Sequence, residues 1–193
     1  PEAHALLARY PAIDLHADSL MWTRWIGYDL HKRHSPPLPK VALGGHVDVP
    51  RMLELVKELA VFERAPQEVT VTEEHMRAAG FGDDPVWVGW VAQRDGVIQG
   101  MAVCYERYST WKGRRLYLED IIVTEQARGQ GLGEKLFVEC VRYAVENDYS
   151  GMLWQVLDWN TDAIRFYDRF GTKYSNEWLN ASLEFEELVK VAG

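Results

Sequence analysis

The sequence predicts an α/β domain preceded by an N-terminal extension. Three observations point there: two apolar strand-like runs at 86–93 and 97–107 flanking an Asp-Gly turn, a strand, glycine-rich loop and helix at 116–147, and a further strand and helix at 152–169. With 193 residues, 47% of them hydrophobic and 26% charged, the chain is the size of one domain and apolar enough to fold. No apolar run approaches the ~20 residues of a membrane span. The net charge of -8 argues against a phosphate backbone as the main ligand and suits a cationic small molecule, so neither nucleic acid nor membrane is an expected partner. Cys104 and Cys140 have neither metal-ligand nor Cys-x-x-Cys spacing. With no secretory signal recognised, the expected location is the cytoplasm.

Residues 1–47 form the extension and 48–193 the main domain. The extension holds five of the six histidines and a Pro36-Pro37-Leu38-Pro39 run that cannot be helical. Asp48 is placed to cap a helix with Pro50 in its first turn, and Met52, Leu55, Val56, Leu59, Ala60 and Phe62 recur at helical spacing. Thr72 opens a second, shorter helix, whose end Gly80 marks. Arg94-Asp95-Gly96 carries a hairpin signal, so the strands on either side should pair antiparallel. A strand at 116–123 leads through the glycine-rich loop into an amphipathic helix at 132–147, with Leu136, Phe137, Cys140, Val141, Ala144 and Val145 inward. A strand at 152–157, a helix at 161–169 and a final strand pair near 172–174 and 179–185 complete the pattern.

The strongest chemical signal is Gln126-Ala127-Arg128-Gly129-Gln130-Gly131-Leu132-Gly133, between a strand and a helix. Glycines let the backbone approach an anion, and the N–H groups and dipole of a helix start suit a pyrophosphate. It is neither a Walker loop nor the G-x-G-x-x-G fingerprint. This Gln-x-x-Gly-x-Gly resembles the coenzyme A signature of the GNAT superfamily of N-acetyltransferases. Asn160-Thr161-Asp162-Ala163-Ile164-Arg165-Phe166-Tyr167, followed by Gly171, resembles a second pattern of that superfamily. More narrowly, Leu55-Val56-Lys57-Glu58-Leu59-Ala60, Gly80-Phe81-Gly82, Tyr108-Ser109-Thr110-Trp111 and Tyr117-Leu118-Glu119-Asp120 are similar to the spermidine/spermine (diamine) acetyltransferase branch, over residues 48–188.

The resemblance implies a twisted mixed sheet with helices on both faces and a splayed central strand pair, here 116–123 and 152–157. It implies transfer of acetyl from acetyl-CoA to a primary amine by direct attack, with no metal, in a homodimer. An alkyl amine with a pKa near ~10.4 is almost wholly protonated at pH 7, so a base is needed. Glu119 takes that role by resemblance, and Tyr167 that of general acid to the departing thiolate. By the same likeness Ile121, Ile122 and Val123 pair with the pantetheine arm, Gly129, Gln130, Gly131, Leu132, Gly133 and Glu134 hold the pyrophosphate, and Asn160 and Ala163 lie near the thioester. Asn160 also reads as a helix cap. An acidic and aromatic acceptor path is expected from Phe62, Glu63, Ser109, Trp111, Asp120, Trp154, Gln155 and Glu177. Ser109 stands where the polyamine branch carries an acid, leaving the acceptor open among a polyamine, a diamine and a lysine analogue such as thialysine.

Two other readings compete: a CoA-binding sensor without turnover, and a metal-binding module in the extension. The second comes from Ile13-Asp14-Leu15-His16-Ala17-Asp18 with Trp22, and from Gly45-His46-Val47-Asp48-Val49-Pro50-Arg51, which resemble the start of a membrane (renal-type) dipeptidase. His16 and Asp18 lack the later ligands such a site needs.

Overall fold

A computed structural model describes residues 42–43 and 48–193. These fall into two compact units, one ending at Trp154 and the other spanning Gln155–Gly193. The dipeptidase-like stretch around His16 and Asp18 lies outside the described residues.

The first unit runs β1 (Ala42–Leu43), α1 (Val49–Phe62), α2 (Glu73–Phe81), β2 (Val88–Arg94), β3 (Val97–Ser109), β4 (Gly113–Val123), α3 (Leu132–Glu146) and β5 (Met152–Leu153). The strands form one sheet in the order β1-β2-β3-β4-β5, antiparallel except for the parallel pair β4–β5. Its hairpin arises from local chemistry. Arg94 faces Val97, and the two residues between them, Asp95 (φ 50) and Gly96 (φ 80), take the positive φ values a type I′ turn requires.

The helices begin where their caps place them. Asp48 accepts a hydrogen bond from the Arg51 N–H at 3.0 Å, and Thr72 Oγ1 from the His75 N–H at 3.1 Å; each satisfies an orphan donor of the first turn. Gly80, however, does not end α2, which continues to Phe81. A Cβ on Gly80 would sit 2.2 Å from the indole of Trp87, so this glycine makes room for a ring that also packs edge-on against Phe81.

Two apolar layers flank the sheet. On one face Val49, Met52, Leu53 and Leu55 of α1 and Met76 of α2 pack against Val91, Ile98, Met101, Val103 and Ile122. Fully burying side chains of this size stabilises by about 1.5–3 kcal/mol each. On the other face α3 buries Leu132, Leu136, Phe137, Cys140 and Ala144. Trp90 meets Tyr143 of α3 there, and Cys104 lies against Cys140. Val141 and Val145 are only half-buried, while Glu139, paired with Arg142, is buried in addition to the expected set.

The expected strand at 152–157 shortens to two residues. β5 pairs with β4 only at Leu116↔Met152 and Tyr117↔Leu153, and the ladder then stops. Past that point β4 has, among the described residues, a strand neighbour on its β3 side alone, as the splayed pair implied.

In the second unit, α4 (Thr161–Asp168) and α5 (Phe185–Ala192) are helical, and neither 172–174 nor 179–185 forms a strand. Thr172 Oγ1 donates to the Tyr167 carbonyl at 2.9 Å and the Tyr174 hydroxyl to that of Ile164 at 3.1 Å, so this stretch folds back on α4. Glu186 and Glu187 near the start of α5 and Lys190 near its end suit the helix dipole. Residues 179–184 lie before that helix and form no strand.

Candidate active site

The glycine-rich loop connects β4 to α3 through a short 3₁₀ turn at Glu125–Ala127. Gly129 (φ 71) and Gly131 (φ 76) occupy the left-handed region, and no atom lies within 4 Å of where a Cβ on either would stand. Gly131 is the N-cap of α3, and no side chain caps that start. A 15-residue helix thus presents its first N–H groups and positive dipole end behind an open, Cβ-free surface. These features fit a pyrophosphate, as acetyl-CoA requires. Leu132, whose side chain is in the core, and Glu134, whose side chain is negative, can serve an anion only through their N–H groups. The Gln130 side chain is engaged within the protein: its amide donates to Gln126 O at 3.3 Å and its carbonyl oxygen accepts from Arg94.

Upstream on β4, a β-bulge decides where the acids point. Leu118 faces Cys104 and Asp120 faces the adjacent Val103, so Glu119 is the extra residue. Leu118 belongs with Cys104 to the α3 face; Val103 belongs to the α1 face, and so does Asp120. Glu119 alternates from Leu118 onto that same face. Two consecutive carboxylates therefore lie on one side of the sheet. Glu63, at the C-terminal cap of α1, is near enough to act on Asp120 electrostatically. Burial first, then the charges of Glu119 and Glu63, push the Asp120 carboxyl up to about 6. Partial desolvation also raises Glu63.

Beside Glu119 stand Tyr105 and Tyr117, cross-strand partners with ring centroids 5.0 Å apart. Both phenols are raised, chiefly by burial and then by the charge of Glu119. Sequence reasoning missed this pair; extending the hairpin register back from the β3–β4 turn finds it. The end of α1 is closed by a Schellman arrangement, in which Ala65 N–H donates to Ala60 O at 2.9 Å and Arg64 N–H to Val61 O at 3.1 Å. Arg64 takes φ 63 there, at a cost of about 1–2 kcal/mol for a residue with a Cβ.

Glu63, Glu119 and Asp120 are thus brought together, and Ile121, Ile122 and Val123 follow them toward the loop. Phe62 is half-exposed next to Glu63. Ser109 and Trp111 are placed elsewhere. They belong to the β3–β4 turn, seven residues from Asp120 along β4, roughly 23 Å at strand rise. The Ser109 hydroxyl accepts from the Trp111 and Lys112 N–H groups, and Trp111 is 83% exposed. Trp154 packs edge-on against Phe137 of α3.

The second unit carries the remaining residues. Asn160 caps α4 by accepting from the Ala163 N–H at 3.2 Å. Tyr167 is buried and stacks edge-on with Phe166. Gln155 donates to the Asn180 side chain at 2.7 Å, and Glu177 is exposed. Among the described residues no group of three or more His, Cys, Asp or Glu could hold a metal ion. No helix among them is long and apolar enough to cross a membrane.

A family model described as "Acetyltransferase (GNAT) family" matches residues 50–172. The chain is 35% identical to a thialysine N-epsilon-acetyltransferase of Mus musculus over 153 residues, which are 74% of this chain and 90% of that protein. It is 30% identical to a spermidine/spermine N(1)-acetyltransferase-like protein 1 of Homo sapiens, over 75% of this chain and 22% of that protein. Among solved structures it resembles an aminoglycoside acetyltransferase, AAC(6')-Iy, in complex with a CoA-containing bisubstrate analog. The TM-score is 0.59 at 16% identity, covering 75% of this chain and 97% of the other.

Proposed function

Because the chain belongs to the GNAT acetyltransferase family, we propose that it moves acetyl from acetyl-CoA to a primary amine of a small polyamine, diamine or thialysine-like acceptor. The observation that carries this reading is the trio Glu63, Glu119 and Asp120, gathered on the α1 face of the strand that leads into the phosphate loop. Three carboxylates attract a cationic amine and offer its proton a destination. The thialysine acetyltransferase similarity, spanning most of both chains, supports the same acceptor class.

In the mechanism we infer, acetyl-CoA supplies the activated acetyl group. The N–H groups of Gly129, Gly131 and the first turn of α3 hold its pyrophosphate, and the backbone of Ile121, Ile122 and Val123 aligns the pantetheine arm. Glu119, the exposed bulge residue, takes the amine proton, directly or through water, and Asp120 and Glu63 hold the remaining positive charge. The neutral amine attacks the thioester carbonyl, and Tyr167 donates a proton to the departing sulfur. Attack without an acyl-enzyme is supported by the cysteines. Cys104 and Cys140 are both fully buried, and burial drives the Cys140 thiol well above its ordinary range.

The reading extends to a cytoplasmic homodimer and to an extension, residues 1–47, whose part before β1 is dispensable for chemistry. A chain beginning at Lys40, which retains β1, keeps turnover on this view, and sedimentation checks the dimer. The main test is acetyl-CoA-dependent thiol release with spermidine, putrescine, thialysine, lysine and an N-terminal peptide. Turnover with a small amine that falls 10²–10⁴-fold in Tyr167→Phe while acetyl-CoA still binds is the expected result. Turnover unaffected by that substitution removes Tyr167 from the mechanism. Binding of acetyl-CoA with no turnover of any amine points to the sensor instead.

A further inference from the structure

We propose that Arg128 is a positioning residue that ties the phosphate loop to the acceptor carboxylates through Phe62. The proposal rests on the reading above, in which Glu63 faces the amine. Arg128 immediately precedes Gly129. Its Nε donates to the Val123 carbonyl at 3.1 Å, and its guanidinium lies over the Phe62 ring, 5.6 Å from the centroid. Phe62 is the last residue of α1, and Glu63 follows it directly. The side chain that closes the end of β4 thus also braces the helix end that carries an acceptor carboxylate.

The chemistry gives this brace a direction. A guanidinium over an exposed aromatic ring is a weak contact, worth about 2–5-fold in an equilibrium. Phe62 is 38% exposed and the Arg128 side chain is exposed too, so solvent competes with it. An anion held at Gly129 places negative charge beside Arg128 and favours one guanidinium position. Fixing the guanidinium fixes the ring beneath it, and with the ring the Schellman terminus at Phe62–Ala65. Acetyl-CoA binding therefore orders the Glu63 side of the acceptor site before the amine arrives, and tightens amine binding. The two sites are linked by one contact between named side chains rather than by a change of fold.

The test uses the full chain with Phe62→Leu, Phe62→Tyr, Arg128→Gln and the Leu/Gln double variant. Kinetics are read at saturating acetyl-CoA, with the amine that the panel identifies. Phe62→Leu is expected to raise the amine KM about 2–5-fold with kcat within 2-fold. Phe62→Tyr restores the KM, Arg128→Gln matches Phe62→Leu, and the double variant shows no further rise, as sharing one interaction demands. Independent multiplication of the two effects, or an unchanged KM in Phe62→Leu, overturns the proposal.

A second readout needs no turnover. CoA should slow amide exchange in the 60–66 stretch of the wild-type chain, and do so far less in Phe62→Leu at saturating CoA. Equal slowing in both, or none in either, also overturns it. If the wild-type chain acetylates no amine yet CoA protects 60–66 as described, the acceptor reading falls and the brace between loop and helix stands.

Discussion

Replacing Asp120 by Asn should make the protein more stable at neutral pH, and the gain should vanish in acid. Burial and the charges of Glu119 and Glu63 raise this carboxyl from its ordinary 3.8 to about 6. The native state therefore binds the proton more tightly than the unfolded chain does. Stability falls as pH rises wherever the native state holds more protons, here between about 4 and 6. Below that window both states are protonated and the group contributes nothing; above it the native protein carries the full burden of a buried charge. At about 1.4 kcal/mol for each pH unit, the burden reaches about 3 kcal/mol, an upper figure because Glu63 and Glu119 are exposed and solvent screens them. The assay is urea unfolding of wild type and Asp120→Asn from pH 4 to pH 8, followed by tryptophan fluorescence. The difference should start near zero at pH 4, grow through pH 6 and level off in favour of Asn. A difference that does not change with pH, or an Asn variant less stable at pH 8, refutes the placement of Asp120 among like charges. On the proposed function the same substitution should also weaken amine binding, a residue that costs stability being kept for the cation it attracts.

Other perturbations probe separate parts of the argument. Gly80→Ala drives a methyl group into the Trp87 indole and should cost about 1–3 kcal/mol in unfolding experiments, with acetyl-CoA binding unchanged at temperatures where the variant is folded. Gly131→Ala places a Cβ at φ 76 and should cost about 1–2 kcal/mol, together with a weaker calorimetric affinity for CoA; full affinity would show that the loop does not hold the pyrophosphate. Arg64→Val puts a β-branched side chain into the left-handed helix cap and should lower the melting temperature, whereas Arg64→Gly should not. Equal effects of the two would mean that the cap conformation is not what matters there.

How much of this was legible in the sequence depends on how local each determinant is. Asp48, Thr72 and Asn160 cap their helices, and Asp95-Gly96 turns its hairpin, because a side chain or a φ value within a few residues settles the matter. The glycine-rich turn from β4 into α3 was legible for the same reason. The bulge at Glu119 was not. By strict alternation Glu119 and Asp120 point to opposite faces, and only their register against Val103 and Cys104 shows that they share one. Residues 179–185 failed for a related cause. Alternating apolar side chains make a strand only where a partner strand offers its hydrogen bonds, and the sequence does not reveal whether one is there. Gly80 misled in another way, since a glycine that clears space for a distant indole looks the same as one that ends a helix.

The parallel ladder that ends after Tyr117↔Leu153 leaves Glu119–Val123 with a strand neighbour on one side only, among the described residues. A cofactor arm laid along that stretch acts as a piece of secondary structure that the polypeptide does not encode. Part of its binding free energy is then folding free energy, and at a hundred times its dissociation constant it adds about 2.7 kcal/mol to the stability of the chain. On the proposed function the chain without its cosubstrate is less stable and is the form more open to proteolysis. The lifetime of the protein is thereby tied, on that same reading, to the supply of its cosubstrate.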